Sequence, residues 1–251
     1  MIRKKRQQPR TFTISNPRSP VSEAFRTLRT NINYAGIDRK IKKILITGAN
    51  PACGKTTTVV NLGVAIAQAG SKVLLLDCDL RKPTMPGYFA ISRDAAGLTN
   101  LLVGEEKEPE SHVQKTDYEN LFVLPGGPVP PNPAELLASV KMNSLVDYLA
   151  GQYEYLIFDS PPVIAVTDAA VLSRLVDGTI MVLDHGRVTR DEAVLAREQL
   201  KKVGANLIGA VLNEVPARDG YYSYYQYYAQ DGDGYNRKPK QKKRPGQSTE
   251  E

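Results

Sequence analysis

The apolar positions of the chain fall into six short runs with little polar interruption, at residues 44–47, 72–77, 121–124, 155–159, 179–183 and 207–212. Near-continuous apolar runs of this length, without clean alternation, belong to strands covered on both faces. Between the runs the pattern changes to helical spacing. Residues 59–69 place Val60, Val64 and Ala67 on one side and end at Gly70; residues 133–150 carry proline near the first turn; residues 168–175 and 190–203 complete the set. Strand and helix alternating in this way predict an α/β fold, a mainly parallel doubly wound sheet with helices on both sides. Ligands of such sheets bind at the carboxyl ends of the strands. A further helix is expected from Ser22 as its N-cap through residue 29. Residues 104–119 are acidic and irregular and predict no clear element.

The two ends depart from this pattern. Residues 1–20 hold six Lys or Arg and no acid, and their low hydrophobicity predicts a disordered basic arm, with the folded domain at residues 21–218. Beyond Arg218 the segment GYYSYYQYYAQDGDGY brings together Tyr221, Tyr222, Tyr224, Tyr225, Tyr227, Tyr228 and Tyr235, seven of the 13 tyrosines in the chain. Aromatics without aliphatic partners cannot build a core, so residues 219–251 are expected to be a disordered tail. The ends also account for the formal net charge of +6, because residues 21–218 carry 21 bases against 22 acids. A balanced centre argues against a broad basic face for nucleic acid. No apolar run approaches membrane-spanning length, and the basic start leads into Pro and Thr instead of a signal core, which predicts a cytoplasmic protein. Cys53 and Cys78 have no metal-binding or redox spacing, in keeping with a reducing compartment.

Candidate chemistry starts at residues 44–57, ILITGANPACGKTT. An apolar strand runs into a small-residue turn and then Gly54, Lys55 and Thr56, after which a helical pattern begins. In a phosphate loop of this kind, backbone N–H groups wrap the phosphates of a nucleotide, the lysine bridges two of them, and the threonine hydroxyl reaches a magnesium ion. The loop residues Pro51, Ala52, Cys53, Gly54, Lys55, Thr56 and Thr57 are therefore the candidate nucleotide cradle. Ala49 stands where the pattern has its first glycine, with Gly48 one residue earlier. Two acid-bearing strand ends join the loop. In VLLLDCDLR, Asp77 and Asp79 lie two apart, on one side if the strand continues, and in YLIFDSPP, Asp159 ends the run. A carboxylate there holds magnesium through water, and a third acid is left as a general base for hydrolysis or for transfer to a hydroxyl.

In order, residues 49–56, 74–81 and 157–162 resemble the Walker A, Walker A′ and Walker B motifs of the bacterial tyrosine kinases, and the tyrosine block resembles their autophosphorylated tail. Glu23, Arg26 and Arg29, three apart on one helix face, match the Glu-x-x-Arg-x-x-Arg helix through which that family forms rings. The resemblance spans about residues 20–235, includes Ala49 in place of glycine, and is to the split form of Gram-positive capsule and exopolysaccharide systems. It implies a P-loop fold of the MinD/ParA-like type and an ATP- and Mg²⁺-dependent tyrosine autokinase acting in trans on its own tail. It further implies a homo-oligomeric ring, and a membrane adaptor of the polysaccharide co-polymerase type that recruits the kinase to the inner face of the membrane. Lys55 would neutralise the β- and γ-phosphates, Thr56 would ligate magnesium, and Asp159 would stand in the metal's outer shell. Asp77 and Asp79 would divide metal positioning and activation of the tyrosine hydroxyl, with the base unassigned, and Asn213 matches the adenine-contacting asparagine of the wider fold. Partitioning and positioning ATPases carry a signature lysine where this chain has Asn50, and they have no need of a tyrosine block. Because Cys53 and Cys78 flank the expected site, bound Mg-nucleotide should slow their alkylation; the plainer reading makes them small residues without a reactive role.

Overall fold

All six apolar runs become strands; the first five are largely buried from both sides, whereas the last, at the sheet edge, is partly exposed, with Leu212 55% exposed. The computed structural model describes residues 11–36, 40–104 and 108–216; the tyrosine cluster lies outside the described residues. In chain order the elements are α1 (Phe12–Ser15), α2 (Pro20–Ala35), β1 (Lys43–Gly48), α3 (Lys55–Ala67), β2 (Val73–Asp77), α4 (Leu98–Val103), β3 (Gln114–Lys115), β4 (Leu121–Leu124), α5 (Pro133–Leu137), α6 (Val140–Gln152), β5 (Tyr155–Asp159), α7 (Asp168–Leu172), β6 (Gly178–Asp184), α8 (Arg190–Lys202) and β7 (Leu207–Asn213). They form one seven-stranded sheet in the order β3-β4-β2-β5-β1-β6-β7. Every pairing is parallel except that of the two-residue β3 with β4.

Period-two geometry divides the strand side chains between two cores. Ile44, Ile46, Val73, Leu75 and Ile157 pack with Val59, Val60 and Val64 of α3 and with Phe25, Leu28 and Ile32 of α2. Leu45, Leu74, Leu76, Leu156 and Phe158 pack on the other face with Leu101 of α4 and Met142, Leu145 and Leu149 of α6. Burying one such aliphatic side chain is worth roughly 1.5–3 kcal/mol, so the central strands anchor the molecule. Gly63 lets α3 approach β2, since a Cβ there would lie 2.6 Å from Leu75 Cδ2.

The elements differ from expectation at helix ends. α3 begins at Lys55, four residues before the predicted start, because its polar first turn of Lys-Thr-Thr-Thr is invisible to a hydrophobic pattern. The single helix predicted over 133–150 is two, α5 and α6. Ser139 adopts an extended N-cap conformation between them and accepts the Met142 N–H at 3.1 Å. The basic arm was expected to be disordered through residue 20, yet residues 11–19 are structured. Thr13 in α1 is fully buried, and α2 starts at Pro20 with Ser19, not Ser22, as N-cap. Pro20 at the first helical position needs no N–H partner. Ser22 instead lies inside the first turn, its hydroxyl donating to the Asn16 carbonyl at 2.6 Å. Among the residues expected to be irregular, Gln114–Lys115 extends the sheet as its antiparallel edge.

Candidate functional site

The site lies at the carboxyl ends of β1, β2 and β5, where three neighbouring strands deliver the phosphate loop and the acids. The loop from Gly48 to Gly54 turns through two left-handed residues, Ala52 (φ 61°) and Gly54 (φ 92°). Gly54 is required twice over, because a Cβ there would also lie 2.0 Å from Asn213 Nδ2. The other close approach falls on Gly48, whose Cβ would meet Cys53 Sγ at 2.3 Å. Ala49, in the pattern's glycine position, is buried against Val163, Ala169 and Met181. Pro51 and Ala52 form the exposed tip, Lys55 is buried, and Thr56 and Thr57 are half-buried at the helix start. The first N–H groups of α3 have no helical partners and face this loop, which makes it an anion site.

Asp77 and Asp159 face each other across the β2–β5 register, and both are fully buried. Thr56 Oγ1 donates to Asp159 Oδ2 at 2.5 Å and lies 2.9 Å from the Thr84 hydroxyl. Asp77 Oδ2 accepts the Met85 N–H at 3.2 Å. The second oxygen of each carboxylate, Asp77 Oδ1 and Asp159 Oδ1, is buried without a hydrogen-bond partner. Burial pushes the Asp159 carboxyl up to about 7, against the pull of the Thr56 hydroxyl and the Lys55 ammonium. Asp77 is raised well above the usual carboxylate range, first by burial and then by the charges of Asp159 and Asp79. Two orphaned carboxylate oxygens beside a threonine hydroxyl fit a hard divalent cation. Among the described residues no group of three His, Cys, Asp or Glu side chains is placed to hold a metal, so phosphate oxygens and water would supply the other ligands, as is usual for magnesium.

Asp79 lies past the end of β2, because the strand stops at Asp77 and Cys78 N–H donates to the Asp159 carbonyl. Its Oδ1 accepts the Lys82 N–H at 3.1 Å. Burial raises Asp79 while Lys82 N–H and Lys55 draw it down. The loop it sits on is clamped by a residue that sequence reasoning gave no role: Arg81 makes a bidentate pair, at 2.9 and 3.0 Å, with the fully buried Asp168 at the start of α7. A lone acid opening a helix gives no signal in sequence beyond an ordinary helix start. Asn213, at the end of β7, reaches the loop from the far side and donates to the Cys53 carbonyl at 3.0 Å.

The ring-helix residues are not presented together. Arg26 pairs with Glu23 at 2.7 Å and donates to the Pro17 carbonyl at 2.8 Å, whereas Arg29 turns inward to the Ala65 carbonyl at 2.6 Å, on the last turns of α3. Cys53 and Cys78 are buried, and burial raises both thiols, which favours the plainer reading of two unreactive residues.

Residues 41–185 match the family model described as AAA domain. Tyrosine-protein kinase YwqD of Bacillus subtilis (strain 168) is 41% identical over 221 residues, covering 88% of this chain and 92% of the relative. The chain belongs to the bacterial tyrosine kinase family. Its fold matches the kinase domain of Escherichia coli tyrosine kinase ETK with a TM-score of 0.79 and 34% identity, over 87% of this chain and 85% of that one. The septum site-determining protein MinD of Pyrococcus horikoshii OT3, solved with Mg-ADP, superimposes with a TM-score of 0.60 and 25% identity, over 76% of each chain. The kinase is thus a P-loop enzyme of the MinD/ParA-like type, with Lys55 and Thr56 at the start of α3 and Asp77 and Asp159 paired in register at the ends of β2 and β5. No helix among its described residues is long and apolar enough to cross a membrane.

Proposed function

We propose that this kinase transfers the γ-phosphoryl group of ATP to the tyrosines of its own C-terminal cluster, Tyr221, Tyr222, Tyr224, Tyr225, Tyr227, Tyr228 and Tyr235, in a neighbouring subunit. The observation that carries the reading is the buried Asp77–Asp159 pair with its two unpartnered oxygens, set one hydrogen bond from Thr56 of the phosphate loop. Thr56, Asp77 and Asp159 would hold Mg²⁺, which supplies charge neutralisation between the β- and γ-phosphates. The loop N–H groups and Lys55 bind and orient the triphosphate, and Lys55 cancels charge as it develops. Pro51, Ala52 and Cys53 shape the cradle, and Asn213 braces it and stands on the adenine side.

A phenol with a pKa near 10 is a weak nucleophile at neutral pH. Asp77 accepts the Met85 N–H and is fully buried on the metal side, so Asp79, partly exposed at the rim, is the base. The tyrosine oxygen bonds to the γ-phosphorus as the bond to the β-γ bridging oxygen breaks; the phenolic proton passes to Asp79, and ADP leaves. The match of Glu23, Arg26 and Arg29 to the family's ring helix supports a homo-oligomeric ring in which one subunit's tail reaches the next subunit's site, with Glu23 and Arg26 on the outer side of α2 and Arg29 held inside the subunit. The resemblance to split capsule and exopolysaccharide kinases supports a role in regulating polysaccharide synthesis and export, with recruitment to the inner face of the membrane by a co-polymerase-type adaptor.

Incubating the full chain with γ-labelled ATP, Mg²⁺ and the cytoplasmic segment of its adaptor tests the reading. Phosphate gained on the C-terminal peptide supports it. Release of inorganic phosphate alone would replace it with an ATP-driven switch.

A further inference from the structure

Thr57 is the second hydroxyl residue of the phosphate loop, and it is held from two directions that the transfer chemistry does not use. Thr58 N–H already donates to the Gly54 carbonyl at 2.9 Å, so the N–H groups of residues 55–57 are the ones left for an anion. In front of the helix, the Tyr88 hydroxyl lies 2.7 Å from Thr57 Oγ1. With Tyr88 as donor, the Thr57 proton stays available to a phosphate oxygen. Behind it, Asn61 Nδ2 donates to the Thr57 carbonyl at 2.9 Å. The Asn61 Oδ1 accepts both the N–H and the hydroxyl of Thr13, at 3.0 and 2.6 Å. Asn61 and Thr13 are fully buried although 48 residues apart in sequence.

A buried polar chain with its groups satisfied holds one geometry, and removing a member leaves its neighbour without a partner. α1 carries no residue of the transfer chemistry and the turn at Met85–Tyr88 contributes to it only the N–H that holds Asp77, yet both connect to Thr57, the turn directly and α1 through Asn61. We propose that Tyr88, Asn61 and Thr13 are positioning residues for nucleotide binding that act through Thr57, which makes the segment Phe12–Ser15 a strut of the phosphate loop. The inference rests on reading the loop as the ATP site. α1 contacts both α2 and α3, so the strut also joins the helix carrying Glu23 and Arg26 to the loop.

The test is Mg-ADP titration calorimetry on the full chain, with Tyr88→Phe, Thr13→Val, Thr13→Ser, and Tyr88→Phe in a Thr57→Val background. Tyr88→Phe and Thr13→Val should each weaken ADP binding about fivefold, while Thr13→Ser, which keeps the hydroxyl, stays within about twofold of the parent. The KM for ATP should rise with kcat nearly constant. In the Thr57→Val background Tyr88→Phe should cost no further affinity, because its partner is gone. Parental affinity in both single variants, or an undiminished Tyr88→Phe loss without the Thr57 hydroxyl, overturns the proposal. If Thr13→Val does not fold, the Tyr88 and Thr57 cycle decides. Labelling of the tail at saturating ATP reports on the kinase reading alone.

Discussion

Burial raises the Asp159 carboxyl to about 7 in the folded chain, against 3.8 for an aspartate exposed to water in the unfolded chain. Between those values the folded state holds more protons than the unfolded one. Its contribution to stability is therefore full below about pH 4, declines as pH rises and is gone above about pH 7. The nucleotide-free protein should melt at progressively lower temperature from about pH 5 to about pH 7.5. Asp159→Asn should flatten that slope, and an unchanged slope would remove Asp159 as its cause. Binding of Mg-nucleotide has the opposite sign, tightening as pH rises, because the ligand oxygens must be deprotonated. At the same scale, Asp79→Asn should lower kcat by about 10²–10⁴-fold, the size of a lost general base, with ADP affinity nearly intact. Loss of ADP binding in that variant would move Asp79 from proton transfer to metal positioning.

Helix α3 is the element on which the site and the core meet. Its start at Lys55 is set by Gly54, and its middle is pressed against β2 at Gly63. Gly63→Ala places a methyl group 2.6 Å from a fully buried leucine terminus and should destabilise the fold by about 1–3 kcal/mol. A shift in the urea midpoint at constant slope is the measurement, and an unchanged midpoint would show that Leu75 yields without cost. The missed start of α3 and the missed break at Ser139 share a cause. Hydrophobic periodicity reports the face a helix buries and is silent about a polar first turn or a serine that satisfies orphan N–H groups. Residues 11–15 were misread because composition counts charges, whereas the order of Thr13 comes from Asn61 in a distant helix.

For the whole molecule, the proposed transfer in trans depends on how subunits and tails are arranged. Phosphorylation of all seven clustered tyrosines adds roughly 10–14 negative charges per subunit. In the proposed ring that charge should drive subunits apart. Sedimentation before and after incubation with ATP should show the assembly shrinking as the tail gains mass, and an assembly of constant size would separate phosphorylation from ring stability. Replacing Tyr221, Tyr222, Tyr224, Tyr225, Tyr227, Tyr228 and Tyr235 by Phe should abolish autophosphorylation while ATP binding persists. Near-normal labelling of that variant would place the acceptors elsewhere.

Sequence alone determined the α/β class and pointed to the phosphate loop and three acids as candidates, because burial on both faces leaves continuous apolar runs and ligand chemistry gathers where such runs end. Only the tertiary structure decided which acids meet. Asp77 and Asp159 are 82 positions apart in the chain and become neighbours because β5 lies between β2 and β1 in the sheet. The same holds for the inward turn of Arg29 and for the buried chain from Thr13 to Thr57, since both depend on which helix packs against which. Local pattern carries the periods of single elements, and the order in which those elements lie side by side is settled by the packing of the entire sheet.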